Sequence, residues 1–243
     1  MSEKKVWLVT GASRGIGLEV ARRVIAAGER VILLARGEAV LVVAQDLGEN
    51  ALGLQADVSD SASVESAVDK ILGHWGRIDF IVNNAGLHRG GRVGMLTLED
   101  WQAVLNTNLT GALNVISAAR ESLSEGSSIV NVGAVVGFRG FPGDAAYAAS
   151  KAGLAGLTRA LAIELAGKGI CVNLVIPGLV LTEMTDALSD KALESMRKII
   201  PMGRYGEAQE VAEVIEWVAR SRYMTGAFVP VDGGLMSSFG VPQ

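Results

Sequence analysis

The 243-residue chain has one cysteine, five prolines and 5% aromatic residues. It has no apolar run near the ~18 residues that a membrane helix needs. One cysteine, Cys171, excludes a disulfide within the chain and suits a reducing compartment. In its apolar run Cys171 reads as a small buried hydrophobe. No Lys/Arg cluster exceeds three residues and the net charge is −4, which disfavours nucleic acid as a partner. The apolar stretch after Met1-Ser2-Glu3-Lys4-Lys5 is too short for a secretory signal, so a soluble cytoplasmic protein is expected. What the chain has in excess is glycine. Its 30 glycines are about 12% of the residues against a usual ~7%. They are dispersed, which excludes collagen and low-complexity disorder and suggests many tight turns or close backbone approaches.

Short apolar runs alternate with amphipathic stretches. Strands are expected at 6–9, 31–34, 52–55, 78–82, 128–132, 170–176 and 227–231. Helices are expected at 15–27, 39–47, 61–75, 98–123, 144–166, 185–198 and 208–219, with Thr97 capping the fourth and Asp100 three residues on. Strands apolar on both faces, each followed by a helix, imply an α/β fold. Its sheet is parallel and doubly wound, Rossmann-type, with seven strands and helices on both faces. No repeat or linker interrupts it, so residues 1–243 read as one domain.

The first strand runs into Thr10-Gly11-Ala12-Ser13-Arg14-Gly15-Ile16-Gly17, and a helix follows. Glycines there permit a tight turn and bring backbone amides close to a diphosphate, which the helix N-terminus favours. The strand-loop-helix context is the one this motif requires. An enzyme that reads the 2′-hydroxyl of NAD places a carboxylate near the end of the second strand, and none is present at Ala35-Arg36. Arg14 and Arg36 instead suit a 2′-phosphate, so NADP(H) is the expected cofactor.

Further landmarks follow in order: Asp57-Val58, Asn83-Asn84-Ala85-Gly86, Asn108, Tyr147-Ala148-Ala149-Ser150-Lys151, Pro177-Gly178 and Thr182. From about Val6 to Gly234 the chain resembles the short-chain dehydrogenase/reductase family. Within it the chain is most similar to 3-oxoacyl-[acyl-carrier-protein] reductases, as at Ile200-Pro201-Met202-Gly203-Arg204 and Val231-Asp232-Gly233-Gly234. The resemblance implies that Asp57 and Val58 contact adenine. It implies that Asn83, Ala85 and Gly86 shape the floor under the adenosine ribose, and that the segment of Pro177, Gly178, Val180 and Thr182 holds the nicotinamide.

Tyr147 and Lys151 are four residues apart, so on a helix they share a face. A phenol ionises near ~10 and a nearby ammonium favours the phenolate, easing proton transfer. The implied reaction reduces a carbonyl, with Tyr147 protonating the oxygen, Lys151 on the nicotinamide ribose and Asn108 anchoring a water chain. One position departs from the family pattern. Thirteen residues before the tyrosine, where a serine is usual, stands Ala134, within Asn131-Val132-Gly133-Ala134-Val135-Val136-Gly137. Loss of that donor to the reacting oxygen could cost roughly 10²–10³ in rate. Three explanations stand: an engineered serine-to-alanine replacement, favoured because every other element is intact; a natural alanine with another group orienting the carbonyl; or a nucleotide-binding protein that has lost catalysis.

Specificity is expected in residues 87–96, 135–144 and 179–200, at the C-terminal ends of the strands. Met184, Leu188, Leu193 and Met196 could cover an acyl chain, although ordinary helix packing is the plainer account. His88 lies just past the cofactor floor; a solvated loop histidine is the default there, as exposed surface is for Arg139 and a helix end for His74. An acidic acyl carrier protein needs a basic rim, for which Arg89, Arg120 and Lys168 are candidates. The acidic turn Ser124-Glu125-Gly126-Ser127-Ser128 weighs against it, and a free ketone or alcohol stays open. Residues 98–123 and 144–166, with the small residues Ala152, Gly153, Ala155 and Gly156, are expected at a subunit interface of a homotetramer, as is usual in the family.

Overall fold

The computed structural model describes residues 4–181 and 190–238. The short apolar runs form β1 (Val6–Thr10), β2 (Arg30–Ala35), β3 (Ala51–Gln55), β4 (Phe80–Asn83), β5 (Ser128–Val132), β6 (Cys171–Pro177) and β7 (Phe228–Val231). They build one sheet in the order β3-β2-β1-β4-β5-β6-β7, with every pair parallel. Parallel neighbours need crossovers, and helices supply them. Among the described residues these are α1 (Gly15–Ala26), α2 (Ala39–Leu47), α3 (Ser61–Trp75), α4 (Leu98–Leu105), α5 (Gly111–Ala119), α6 (Val136–Arg139), α7 (Ala145–Ala166), α8 (Asp190–Lys198) and α9 (Ala208–Arg220).

The period-2 alternation of β1 sorts the helices into two layers. Trp7 and Val9 pack with Val20 and Val24 of α1, Val40 of α2, and Val211, Ile215 and Val218 of α9. Val6 and Leu8 pack with Val64 and Val68 of α3, Val115 of α5 and Ala162 of α7. All five residues of β1 are buried, which explains why its sequence is apolar on both faces. Chain order reverses between β1 and β4, so their C-terminal ends open the crevice in which doubly wound sheets bind ligands.

Most expected elements appear within one or two residues. Of the helix expected at 185–198, residues 190–198 form α8 and 185–189 lie outside the described residues; the exception is 98–123, which is not one helix. After α4, residues Asn106–Thr110 widen into a π-helical turn before α5, and a 3₁₀ turn (Arg120–Ser122) ends the segment. The cause lies at Asn108, whose amide bonds outward to the loop after β4, and at Gly111, where a Cβ would lie 2.7 Å from Val58 Cγ2. Thr97 does cap α4: Asp100 N donates to Thr97 Oγ1 (3.0 Å) and Thr97 Oγ1 donates back to Asp100 Oδ2 (2.8 Å). Helix α6 was not foreseen, because four residues carry no periodicity. Cys171 is half-buried and not enclosed, since it opens β6 at the sheet's end, where its thiol meets Arg222 O at 3.8 Å.

Candidate active site

The loop between β1 and α1 is a close-fitting cradle. Gly11 (φ +64°) and Gly15 (φ +56°) adopt left-handed backbone, which glycine alone enters freely. A Cβ on Gly11 would lie 2.8 Å from Ala85 Cα, and one on Gly17 would lie 2.6 Å from both Asn84 Nδ2 and Gly11 O. Ser13, Arg14 and Ile16 complete the turn, with Arg14 at the N-cap of α1. The contacts of Gly11 and Gly17 seat the loop that opens α1 directly against the chain leaving β4. This glycine cradle fits a dinucleotide diphosphate, which needs close backbone approach and a helix N-terminus.

A residue outside the expected set ties this loop to β4. Asn84 Nδ2 donates to Thr10 O (3.0 Å) and Gly11 O (3.2 Å). In return Thr10 Oγ1 accepts from Asn84 N (3.0 Å) and Ala85 N (2.9 Å). The available signal was an amide side chain directly after a buried strand, opposite a glycine turn.

At the far end of the crevice, Arg36 is exposed just past β2, and its carbonyl accepts from Gln55 Nε2 (2.9 Å). Asp57 Oδ1 accepts from Ser59 N (2.9 Å) and Ser59 Oγ (2.7 Å). Burial opposes its ionisation, but these bonds and the Arg36 charge outweigh it and hold the carboxyl below its usual range. Val58 is buried and its carbonyl accepts from Asn114 Nδ2 (2.9 Å).

The side chain of Asn83 is turned into the sheet. Its Nδ2 donates to Asn131 Oδ1 (2.9 Å), and Asn131 Nδ2 donates to Thr158 Oγ1 (2.9 Å). Ala85 and Gly86 continue past the strand end. A Cβ built on Gly86 would lie 3.8 Å from both Asn108 Oδ1 and Lys151 Nζ, so this glycine sits against both side chains.

Asn108 is 2% exposed. Its Oδ1 accepts from Leu87 N (2.7 Å), and its Nδ2 donates to Leu87 O (3.0 Å) and to Ser150 Oγ (2.9 Å). Ser150 Oγ donates in turn to Tyr147 O (2.7 Å). Thus the π-helical turn holds both the loop carrying Gly86 and the helix carrying Tyr147. π-Bulges recur at functional positions for this kind of reason.

Tyr147 and Lys151 lie one turn apart on α7, with Lys151 Nζ 5.6 Å from the Tyr147 ring centre. The ammonium is buried and donates to Val132 O (2.8 Å). Burial pushes the lysine down to about 8. Burial, with a smaller push from the Asp144 carboxylate, raises the Tyr147 phenol to about 12. The shift runs opposite to the expected easing by Lys151, because burial is the dominant cause and the ammonium is directed to a backbone carbonyl.

Ala134 is half-buried two residues past β5, where its carbonyl accepts from Gly137 N (3.1 Å). Pro177 ends β6. Gly178 passes so close to the chain after β7 that a Cβ would lie 2.6 Å from Asp232 Cα. Val180 is buried and pairs as an isolated bridge with Gly206. Thr182, Met184 and Leu188 lie outside the described residues. Leu193 and Met196 are half-buried on α8, and Leu193 O accepts from Tyr205 Oη (2.6 Å).

Around the mouth, His88 is exposed, as expected of a loop histidine, and its ring also pairs with Asp144 at 2.9 Å. Arg139 donates to Leu235 O and His74 is exposed in the last turn of α3. Of the candidate basic rim, Arg89 pairs with Asp100 (2.8 Å) and Arg120 with Glu121 (2.9 Å), while Lys168 is exposed. Gly153 packs closely inside the chain, where a Cβ would lie 2.6 Å from Leu109 Cδ2, whereas Gly156 faces open space.

A glycine cradle at the reversal point of a parallel sheet, with a tyrosine and a buried lysine beside it, defines a nucleotide-dependent oxidoreductase of the doubly wound class. Residues 11–236 match the family model described as enoyl-(acyl carrier protein) reductase, and the chain belongs to the short-chain dehydrogenase/reductase family. It is 45% identical over 231 residues to zebrafish (Danio rerio) carbonyl reductase family member 4, covering 94% of this chain and 96% of that protein. It is 42% identical over 234 residues to the human 3-oxoacyl-[acyl-carrier-protein] reductase, covering 95% and 98%. A blue fluorescent protein from a metagenomic library, solved in complex with NADPH, superposes with a TM-score of 0.90 at 35% identity, covering 95% and 97%. Among the described residues no helix is long and apolar enough to cross a membrane.

Proposed function

We propose that this protein is an NADPH-dependent carbonyl reductase that converts a 3-oxoacyl thioester to the 3-hydroxyacyl form. The observation that carries this is the meeting of Tyr147, Lys151 and Gly86 at the sheet's reversal crevice, next to the glycine cradle. The human relative's name supports the substrate, and the NADPH bound to the metagenomic neighbour supports the cofactor.

Gly11, Ser13, Arg14, Gly15, Ile16 and Gly17 take the diphosphate, and Arg14 and Arg36 take the 2′-phosphate. Asp57 and Val58 flank the adenine, and Asn83, Ala85 and Gly86 form the floor. Pro177, Gly178, Val180 and Thr182 orient the nicotinamide. When bound, the reduced nicotinamide supplies the hydride that forms the new C–H bond at the carbonyl carbon. Tyr147 gives its hydroxyl proton to the carbonyl oxygen as the C=O π bond opens, and solvent returns a proton to the phenolate. A phenol held near 12 keeps its proton at neutral pH, which is the form that donates in the reduction step. Lys151, anchored on Val132 O, binds the ribose, and Asn108 holds the loop and helix on either side of the proton's path.

Tyr147→Phe tests the proposal. With NADPH and an acetoacetyl thioester, kcat falls about 10²- to 10⁴-fold while NADPH affinity stays the same. Retained turnover refutes it. A small free ketone is the second substrate reading, favoured by the zebrafish relative's name, and Ala134 favours a chain whose turnover is attenuated. An acyl carrier protein as donor of the thioester would find a basic rim already engaged at Arg89 and Arg120. We place the protein in the cytoplasm as a homotetramer; exposed Leu113 on α5 and Ile163 on α7 support an assembled face. Light scattering that gives a monomer at micromolar concentration refutes the assembly.

A further inference from the structure

His88 lies two residues past Gly86, and Asp144 precedes α7, three residues before Tyr147. The imidazole is exposed on its outer side and meets two side chains on its inner one. Its Nε2 is 2.9 Å from Asp144 Oδ1, and its ring meets the Tyr147 ring edge-on at 5.1 Å between centres. Behind it, Gly91 N donates to Gly143 O (2.8 Å), and Asn108 holds both backbone groups of Leu87. A Cβ on Gly90 would lie 3.3 Å from His88 Cε1 and from Gly143 O, so loop and helix start are closely packed.

We propose that His88 and Asp144 form a proton-dependent positioning pair for Tyr147, in which the imidazolium screens the Asp144 carboxylate from the phenol. This rests on reading Tyr147 as the proton donor. The charged groups near His88 are few. Asp144 is its direct partner and Tyr147 lies against its ring. Arg89, the adjacent cation, is engaged by Asp100, and Lys151 by Val132 O. The hydrogen bond that His88 donates to Asp144 raises the imidazole above its ordinary 6.5, against the opposing pull of burial. Asp144 also adds to the rise at Tyr147, second to burial. While His88 is charged, the pair is neutral overall and Tyr147 is the stronger acid. Once His88 loses its proton, the unscreened carboxylate holds the phenol proton more tightly. Reduction therefore slows as pH rises through the His88 midpoint, by about three- to tenfold.

Three variants and a pH series test the pair. Wild-type kcat for reduction falls through a midpoint above 6.5. His88→Gln leaves Asp144 permanently unscreened, so its low-pH kcat drops about three- to tenfold and the profile flattens. In the double variant His88→Gln/Asp144→Asn the carboxylate is gone and kcat recovers. A pair that only holds the loop would leave the double variant as slow as His88→Gln, and that result overturns the proposal. If Tyr147→Phe keeps its turnover, the reductase reading itself fails. If Tyr147→Phe is inactive but the pair's profiles do not move, only this inference fails. A substrate-free readout stands beside these. In ¹³C-tyrosine-labelled protein the Tyr147 signal, assigned by its loss in Tyr147→Phe, moves with the midpoint of the His88 imidazole. In Asp144→Asn that midpoint falls. A Tyr147 signal that ignores the histidine titration overturns the proposal.

Discussion

Removing the Asn84 amide cuts two of the ties between the cradle and the chain leaving β4. Asn84→Ala deletes two donors, those to Thr10 O and Gly11 O. At about 1 kcal/mol per intramolecular hydrogen bond, the loss is about 2 kcal/mol. A chain of this size shifts by about 2–4 °C per kcal/mol, so Tm should fall by about 4–8 °C. The damage is local, because Gly11 N still donates to Leu34 O (2.8 Å) and Thr10 Oγ1 still accepts from two backbone amides. The loop therefore stays in place but is held less tightly where the diphosphate binds. If about 1.4 kcal/mol of its preorganisation is lost, NADPH affinity falls about tenfold. Asn84→Asp sharpens the comparison, since it puts a carboxylate oxygen where the amide nitrogen meets two carbonyl oxygens, and both effects should grow. Thermal unfolding without cofactor and fluorescence titration with NADPH read the two quantities separately. An Asn84→Ala protein that loses stability but binds NADPH as before would show that the knot supports the sheet and not the cradle.

Ala134→Ser should raise kcat about 10²- to 10³-fold with no change in NADPH affinity; no gain on a substrate shown to bind means another group already holds the carbonyl oxygen. Gly137→Ala places a Cβ 2.8 Å from Ala152 N, so α6 must lift from α7. Unfolding in denaturant should then show a loss of about 1–3 kcal/mol. Arg36→Asp should weaken NADPH about 10- to 100-fold and improve NADH, and an unchanged ratio in paired titrations refutes the 2′-phosphate assignment. Lys151 ionises near 8 in the fold and near its ordinary 10.5 when unfolded. The folded state thus sheds this proton first, and the group's contribution to unfolding free energy rises with pH across that window. The rise is on the order of 3 kcal/mol and should be missing in Lys151→Met.

What could be read in advance and what could not divide along a physical line. Strand positions follow from short runs such as Val6-Trp7-Leu8-Val9, because burial on both faces admits little but apolar side chains. The glycine cradle is equally legible, since a positive φ at Gly11 and Gly15 is a demand that only glycine meets freely. The π-helical turn is a different matter. Residues 98–123 carry continuous helical periodicity, and what widens that helix is a side chain, Asn108, bonding to a loop 21 residues away. Propensity cannot register a partner so distant in sequence. The same holds for His88 and Asp144, 56 residues apart and each unremarkable in its own loop. Charge behaviour was the hardest to foresee. Spacing puts Tyr147 and Lys151 on one face, yet burial raises the phenol and lowers the ammonium. A nearby ammonium beside an exposed phenol would lower its pKa from about 10 and ease proton loss. Here desolvation dominates, and the Tyr147 phenol holds its proton more tightly than a free one. Burial therefore moves the phenol up and the ammonium down, and spacing along a helix registers neither shift.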